Sequence, residues 1–295
     1  MAGVSACAFI RPDPAVPTDL PLSSWSPKAR PQAVIIALHS FADYRKAFAE
    51  MAPWFNERNI ALYAYDQPGF GENPHKGLWP GDDAMREALE KTYTAIRAKH
   101  GKTPIYLLGE SMGGATILST LARHPEWDIK GIILAAPGVR KDIDYRYGGN
   151  ALMALATTFA PSSTVTLSYG TLSPAATRRV TTDPNMVKEV RMDTYYRLLG
   201  FSDDASDNAE KVKVPALILY GSGDRMIESI AICRLNESLE GSTLLYFPNE
   251  PHLLLQGEHY ISHLNDIYDW MRKKPSRHID SLKVHAAEEC SKFKD

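Results

Sequence analysis

Short, uninterrupted apolar runs recur along this chain, separated by segments of helical periodicity, and few folds accommodate that alternation. Ala33-Val34-Ile35-Ile36-Ala37-Leu38 is the first; others lie at Ile60 to Tyr65, Ile105 to Leu108, Ile132 to Ala135, Ala216 to Tyr220 and Leu244 to Phe247. Runs this short with no polar alternation mark strands buried on both faces. Between them, Arg45 to Arg58 places Phe48, Met51 and Phe55 at helical spacing. Asp82 to Lys99 opens on two acids that suit the helix dipole and carries Met85, Leu89, Tyr93 and Ile96 on one face. Further helices fit Met112 to Arg123, Ser229 to Leu239 and Glu258 to Met271. The expected class is α/β, with a mostly parallel, doubly wound sheet.

The alternation breaks between Pro137 and Val214. Residues 150–156 form a small apolar helix candidate, and Asn185 to Leu199 a second, its apolar side being Val187, Val190, Tyr195, Tyr196 and Leu198. Residues 138–213 therefore read as a helical cap inserted into a core built from 32–137 and 214–274. Six prolines within residues 1–31 predict an extended lead-in, with an edge strand near Leu20 to Trp25. The charged tail, 275–295, reads as one peripheral helix without identifiable chemistry.

With 33 basic against 35 acidic residues the chain offers no electrostatic basis for binding nucleic acid. Arg272-Lys273-Lys274 follows a helix end, where cations suit the dipole. No apolar stretch approaches the ~18 residues of a membrane span. Cys7, Cys233 and Cys290 lack metal-ligand spacing and cannot all pair with one another; Cys233, in an apolar helical stretch, reads as a buried thiol. Val4-Ser5-Ala6-Cys7 resembles the lipobox of bacterial lipoproteins without the basic and apolar regions that precede one. Two expectations stand: a lipoprotein trimmed before its lipidated cysteine, or a chance match in a cytoplasmic protein.

The strongest chemical signal is Gly109-Glu110-Ser111-Met112-Gly113-Gly114, which follows a buried strand and opens a helix. That is the setting of a nucleophile elbow: a sharp strand-to-helix turn lifts the serine Oγ off the sheet, and flanking glycines make room for the turn. The helix start then directs N–H groups at any oxyanion formed there. His39-Ser40-Phe41-Ala42-Asp43, directly after the first buried strand, occupies the loop that supplies the second oxyanion donor in such a sheet. Phe41 and Met112 N–H are the expected pair. His39 precedes the nucleophile and reads as a loop organiser.

An acid and a base must follow in chain order. Asp224 ends a Gly-rich turn after the strand Ala216 to Tyr220; Asp203 and Asp204 read as surface acids, and Asp66 as a structural turn residue. His252 follows the last strand in Pro248-Asn249-Glu250-Pro251-His252. His259 and His263, four apart on a helix, could suit a metal, but no third ligand is evident and one helical face can expose both.

His39-Ser40-Phe41, Asp66-Gln67-Pro68-Gly69-Phe70-Gly71, Gly109 to Gly114, Gly221-Ser222-Gly223-Asp224 and Pro251-His252 together resemble the landmark motifs of monoacylglycerol lipase and lysophospholipase-like α/β-hydrolases, in the same order and over about residues 33 to 272. One departure is Ser40, where that family usually has Gly. The resemblance implies a serine hydrolase with a helical cap, acting on single-chain lipid esters through Ser111, Asp224 and His252, with no metal or organic cofactor. The cap candidates Leu152, Met153, Leu155, Phe159 and Tyr169 would line an acyl tunnel or simply pack the cap onto the sheet. A lipid ester as partner is compatible with peripheral membrane association. Amide cleavage, acyl transfer and non-catalytic ligand binding are the competing readings.

Overall fold

A computed structural model describes residues 19–140, 157–158, 160–165 and 170–293. Seven strands form one sheet: β1 (Leu22–Trp25), β2 (Ala33–Leu38), β3 (Ile60–Tyr65), β4 (Ile105–Glu110), β5 (Gly131–Ala135), β8 (Ala216–Gly221) and β9 (Thr243–Phe247). Their order is β1-β3-β2-β4-β5-β8-β9, and every neighbouring pair is parallel except β1 with β3. The apolar runs are thus the central strands: every residue of β2, β3, β4, β5 and β8 is buried. β1, flanked by prolines, is the half-exposed antiparallel edge that a proline-rich strand tolerates.

Helices cover both faces, as parallel crossovers require. They are α1 (Ala52–Glu57), α2 (Asp82–His100), α3 (Met112–Leu121), α4 (Pro174–Thr182), α5 (Met192–Asp207), α6 (Ser229–Ser238), α7 (Tyr260–Met271) and α8 (Arg277–Ser291). All ten residues of α3 are buried, because it is wedged between the sheet, α2 and α5. Close approach is possible because Gly113 and Gly114 lack side chains: a Cβ on the first would collide with the Leu38 carbonyl, and one on the second would lie 2.7 Å from Pro137 Cβ. A two-stranded ribbon, β6 (Thr164–Val165) with β7 (Val190–Arg191), falls between β5 and β8 in chain order.

Several expectations are corrected. Arg45 to Arg58 is not one helix: a 3-10 turn at Arg45–Phe48 gives way to short α1, begun with Pro53 in its first turn. The Asn185 to Leu199 helix lies further along, as α5; Val187 precedes it in the core and Val190 belongs to β7. Asp203 and Asp204 are not simple surface acids. Asp204 accepts from Ser119 Oγ and, at 2.9 Å, from Arg123, with Arg86 at 3.5 Å, so it ties α5 to α2 and α3; Asp203 faces Arg140 at 3.2 Å. Cys233 is not a free thiol, and the tail is not without chemistry: a disulfide joins Cys233 of α6 to Cys290 of α8. The lipobox-like run at Cys7 and the 150–156 helix candidate fall outside the described residues.

Candidate active site

Four strands end on one edge of the sheet, and the loops leaving them carry the residues singled out above. β4 runs straight into Ser111, which sits at φ 52°, ψ −117° between strand and helix. Few side chains adopt that left-handed conformation without support. Here Ser111 N–H donates to Ala135 O of the neighbouring strand, while its carbonyl accepts from Gly114 and Gly138 N–H at 2.9 and 2.8 Å. A Cβ on Gly109 would come within 2.5 Å of the Gly113 backbone, so the turn needs glycine there.

β8 delivers Asp224 and β9 delivers His252. The glycines of the acid turn let the two loops touch; a Cβ on Gly223 would lie 2.8 Å from the Asn249 carbonyl. Asp224 Oδ1 accepts from the N–H groups of Met226 and Ile227, at 2.7 and 3.0 Å. Its other oxygen, Oδ2, is 2.7 Å from His252 Nδ1. His252 Nε2 is in turn 2.8 Å from Ser111 Oγ. With Nδ1–H donating to the carboxylate, Nε2 is left as the acceptor for the serine hydroxyl, so the hydrogen-bond pattern selects the tautomer. The serine, the imidazole and the carboxylate are all buried.

β2 leads into His39 to Asp43. His39 organises this loop: Nδ1–H donates to Ser40 O at 2.8 Å, and Nε2 accepts from Gln67 N–H at 2.9 Å. Complete burial lowers its pKa, which keeps this bifunctional ring neutral. Asp66 does stabilise a turn, accepting from the N–H groups of Arg45 and Glu72 at 2.9 and 2.8 Å. Met112 N–H, at the first position of α3, has no intrahelical acceptor, and among the described residues neither it nor Phe41 N–H has a hydrogen-bond partner. Ser40 Oγ is buried and likewise unpartnered.

His259 and His263 do not share a water-exposed face. His259 precedes α7 and its Nδ1 is 2.6 Å from Glu250 Oε1, whereas His263 is buried with Nε2 3.5 Å from the same carboxylate. No cluster of three potential metal ligands occurs among the described residues. Leu152, Met153, Leu155, Phe159 and Tyr169 lie outside the described residues.

A buried network beside the serine was not anticipated. Glu110, inside the elbow, is fully buried; Oε1 accepts from Leu255 N–H at 2.9 Å and Oε2 from Gln256 Nε2 at 2.6 Å. Gln256 Nε2 also donates to Asp43 Oδ2 at 3.2 Å, and its side-chain Oε1 accepts from Arg179 of α4, which pairs with Asp43 as well. The available signal was an acidic residue at the end of an otherwise apolar strand; its partners are 145 and 146 residues away in sequence and left no local trace.

The family described as serine aminopeptidase, S33, matches residues 29–259. The chain belongs to that family. Among curated relatives of this S33 member is a putative monoglyceride lipase of Schizosaccharomyces pombe, 26% identical, with 92% of this chain and 76% of the relative aligned. A monoacylglycerol lipase of Mycolicibacterium smegmatis is 24% identical over 84% of this chain and 90% of its own length. Among solved structures, a monoacylglycerol lipase of Paleococcus ferrophilus superposes with a TM-score of 0.71 at 20% identity, over 86% of this chain and 98% of that one. A soluble variant of the Saccharomyces cerevisiae monoglyceride lipase gives 0.70 at 18% identity, over 90% and 100%. These likenesses establish the α/β-hydrolase fold.

Proposed function

We propose that this protein hydrolyses single-chain lipid esters, monoacylglycerols or lysophospholipids, with Ser111 as nucleophile, His252 as base and Asp224 as acid. It is a carboxylic ester hydrolase. The observation that carries the reading is the unbroken hydrogen-bonded chain from Ser111 Oγ through His252 to Asp224, beside two unpaired N–H groups. His252 takes the hydroxyl proton as Oγ attacks the ester carbonyl, and Phe41 and Met112 N–H hold the oxyanion. His252 protonates the departing alcohol, then activates the water that hydrolyses the acyl-enzyme. Asp224 holds the ring's tautomer and stabilises the imidazolium.

Relatives named as monoglyceride lipases, and one named as a phospholipase from Bacillus subtilis, support the lipid substrate. The S33 family description supports amide cleavage as the second reading. A fluorophosphonate probe should label Ser111, and rates on p-nitrophenyl esters of rising chain length should favour medium or long acyl groups. Ser111→Ala should lose both labelling and turnover. Failure of the folded wild type to react would favour a ligand-binding role, and greater activity on aminoacyl amides the second reading. The Cys233–Cys290 bond supports residence in an oxidising compartment, and with it the lipidated reading of Cys7.

A further inference from the structure

A catalytic elbow requires small residues two positions before and two after the serine and leaves the position directly before it free, yet here that position holds a carboxylic acid taken completely out of water. Such a group is costly unless its oxygens are satisfied. Both are, and both donors come from the segment just after the base: Leu255 and Gln256 lie three and four residues beyond His252. Glu110 therefore grips the loop that carries the imidazole. Gln256 extends the grip to Asp43, two residues beyond Phe41, and to Arg179 on α4.

We infer that Glu110 is a positioning residue for His252: its carboxylate holds the base's loop against the elbow and places a second negative charge near the imidazolium formed in turnover. This rests on the serine-hydrolase reading above. The ionised form is the competent one, since a proton on either oxygen would face a donor. The charged groups acting on Glu110 are His252 from the loop after β9, Asp43 from the loop after β2, and Arg179 from α4 through Gln256. Burial pushes the Glu110 carboxyl up to about 7, against the opposing pull of Gln256, Leu255 and His252. Its protonation consequently falls within the working range of a serine hydrolase. The acid limb of kcat/KM should contain two ionisations, the base and Glu110.

The test compares wild type with Glu110→Gln on a soluble p-nitrophenyl ester, after circular dichroism has shown the variant folded. The expected result is a kcat lowered about tenfold or more with KM nearly unchanged. The slope of log kcat/KM on the acid side should drop from about 2 toward about 1. A variant with wild-type kcat, or with both ionisations retained, would overturn the inference. Gln256→Ala keeps the charge but removes one bond, so it should lower kcat while retaining both ionisations; an unchanged kcat there also counts against the role. If Ser111→Ala keeps its turnover, the functional reading fails instead, and the two failures are told apart.

Discussion

Asp224 divides its carboxylate between two tasks. One oxygen is held by two backbone N–H groups and the other meets the imidazole, so the side chain cannot rotate without breaking three bonds. Asp224→Asn should retain the fold, because an amide oxygen can still accept from Met226 and Ile227. Its NH2 would then face Nδ1 and favour the tautomer with the proton on Nε2, where it cannot accept from Ser111. The expected loss is about 10³–10⁴-fold in kcat with KM little changed, measured by steady-state kinetics at neutral pH. A loss below tenfold would show that the carboxylate is not what orients the ring. At this scale the candidate triad's geometry was legible: Ser111, Asp224 and His252 each follow a buried apolar run, and His252 lies within hydrogen-bond distance of both Ser111 and Asp224. Glu110, Gln256 and Arg179 were not, because the variable position of an elbow and a glutamine in a loop carry no signature until the chain folds.

At the level of elements, the apolar runs located the strands and periodicity located α2 and α3 almost to the residue. What failed were choices that depend on tertiary neighbours. The stretch after the loop His39 to Asp43 satisfies helical spacing, yet Asp66 captures Arg45 N–H and a 3-10 turn forms in place of a longer helix. The disulfide escaped for a similar reason: its cysteines are 57 residues apart, and only the docking of α8 on β9 and α6 brings them together. That bond closes a long loop, which the chain-entropy argument values at about 4 kcal/mol at most. It lies beside Thr243 and Leu244, at the start of β9, the end away from the His252 loop. Cys290→Ser should therefore lower the melting temperature by several degrees and leave kcat unaltered, and mild reductant should do the same to the wild type. An equal melting temperature with and without reductant would mean the tie contributes nothing to the folded state.

The whole molecule must reconcile groups whose burial pulls stability in opposite directions with pH. His39, with its pKa lowered by burial, contributes stability that is present above its unfolded value of 6.5 and is lost as pH falls below it. Asp204 is also depressed: burial opposes the shift, but hydrogen bonds from Arg123 and Ser119 prevail, so its contribution persists above pH 3.8 and disappears under stronger acid. Glu110 runs the other way. Its folded pKa, about 7, lies above the ordinary 4.5, so its contribution is complete below pH 4.5 and is lost as pH rises through about 7. The ionised form that grips the histidine loop is thus the one that the fold disfavours. Glu110→Gln separates the two demands, since an amide cannot titrate. Its mispaired NH2 should lower the melting temperature by a constant amount, on which a pH-dependent term is superposed. Thermal melts of both proteins from about pH 5 to about pH 8 should show the variant gaining on the wild type as pH rises. A difference that stays flat across that interval would mean Glu110 carries the same charge folded and unfolded, and the wild type would then bear no cost for a buried anion beside its serine.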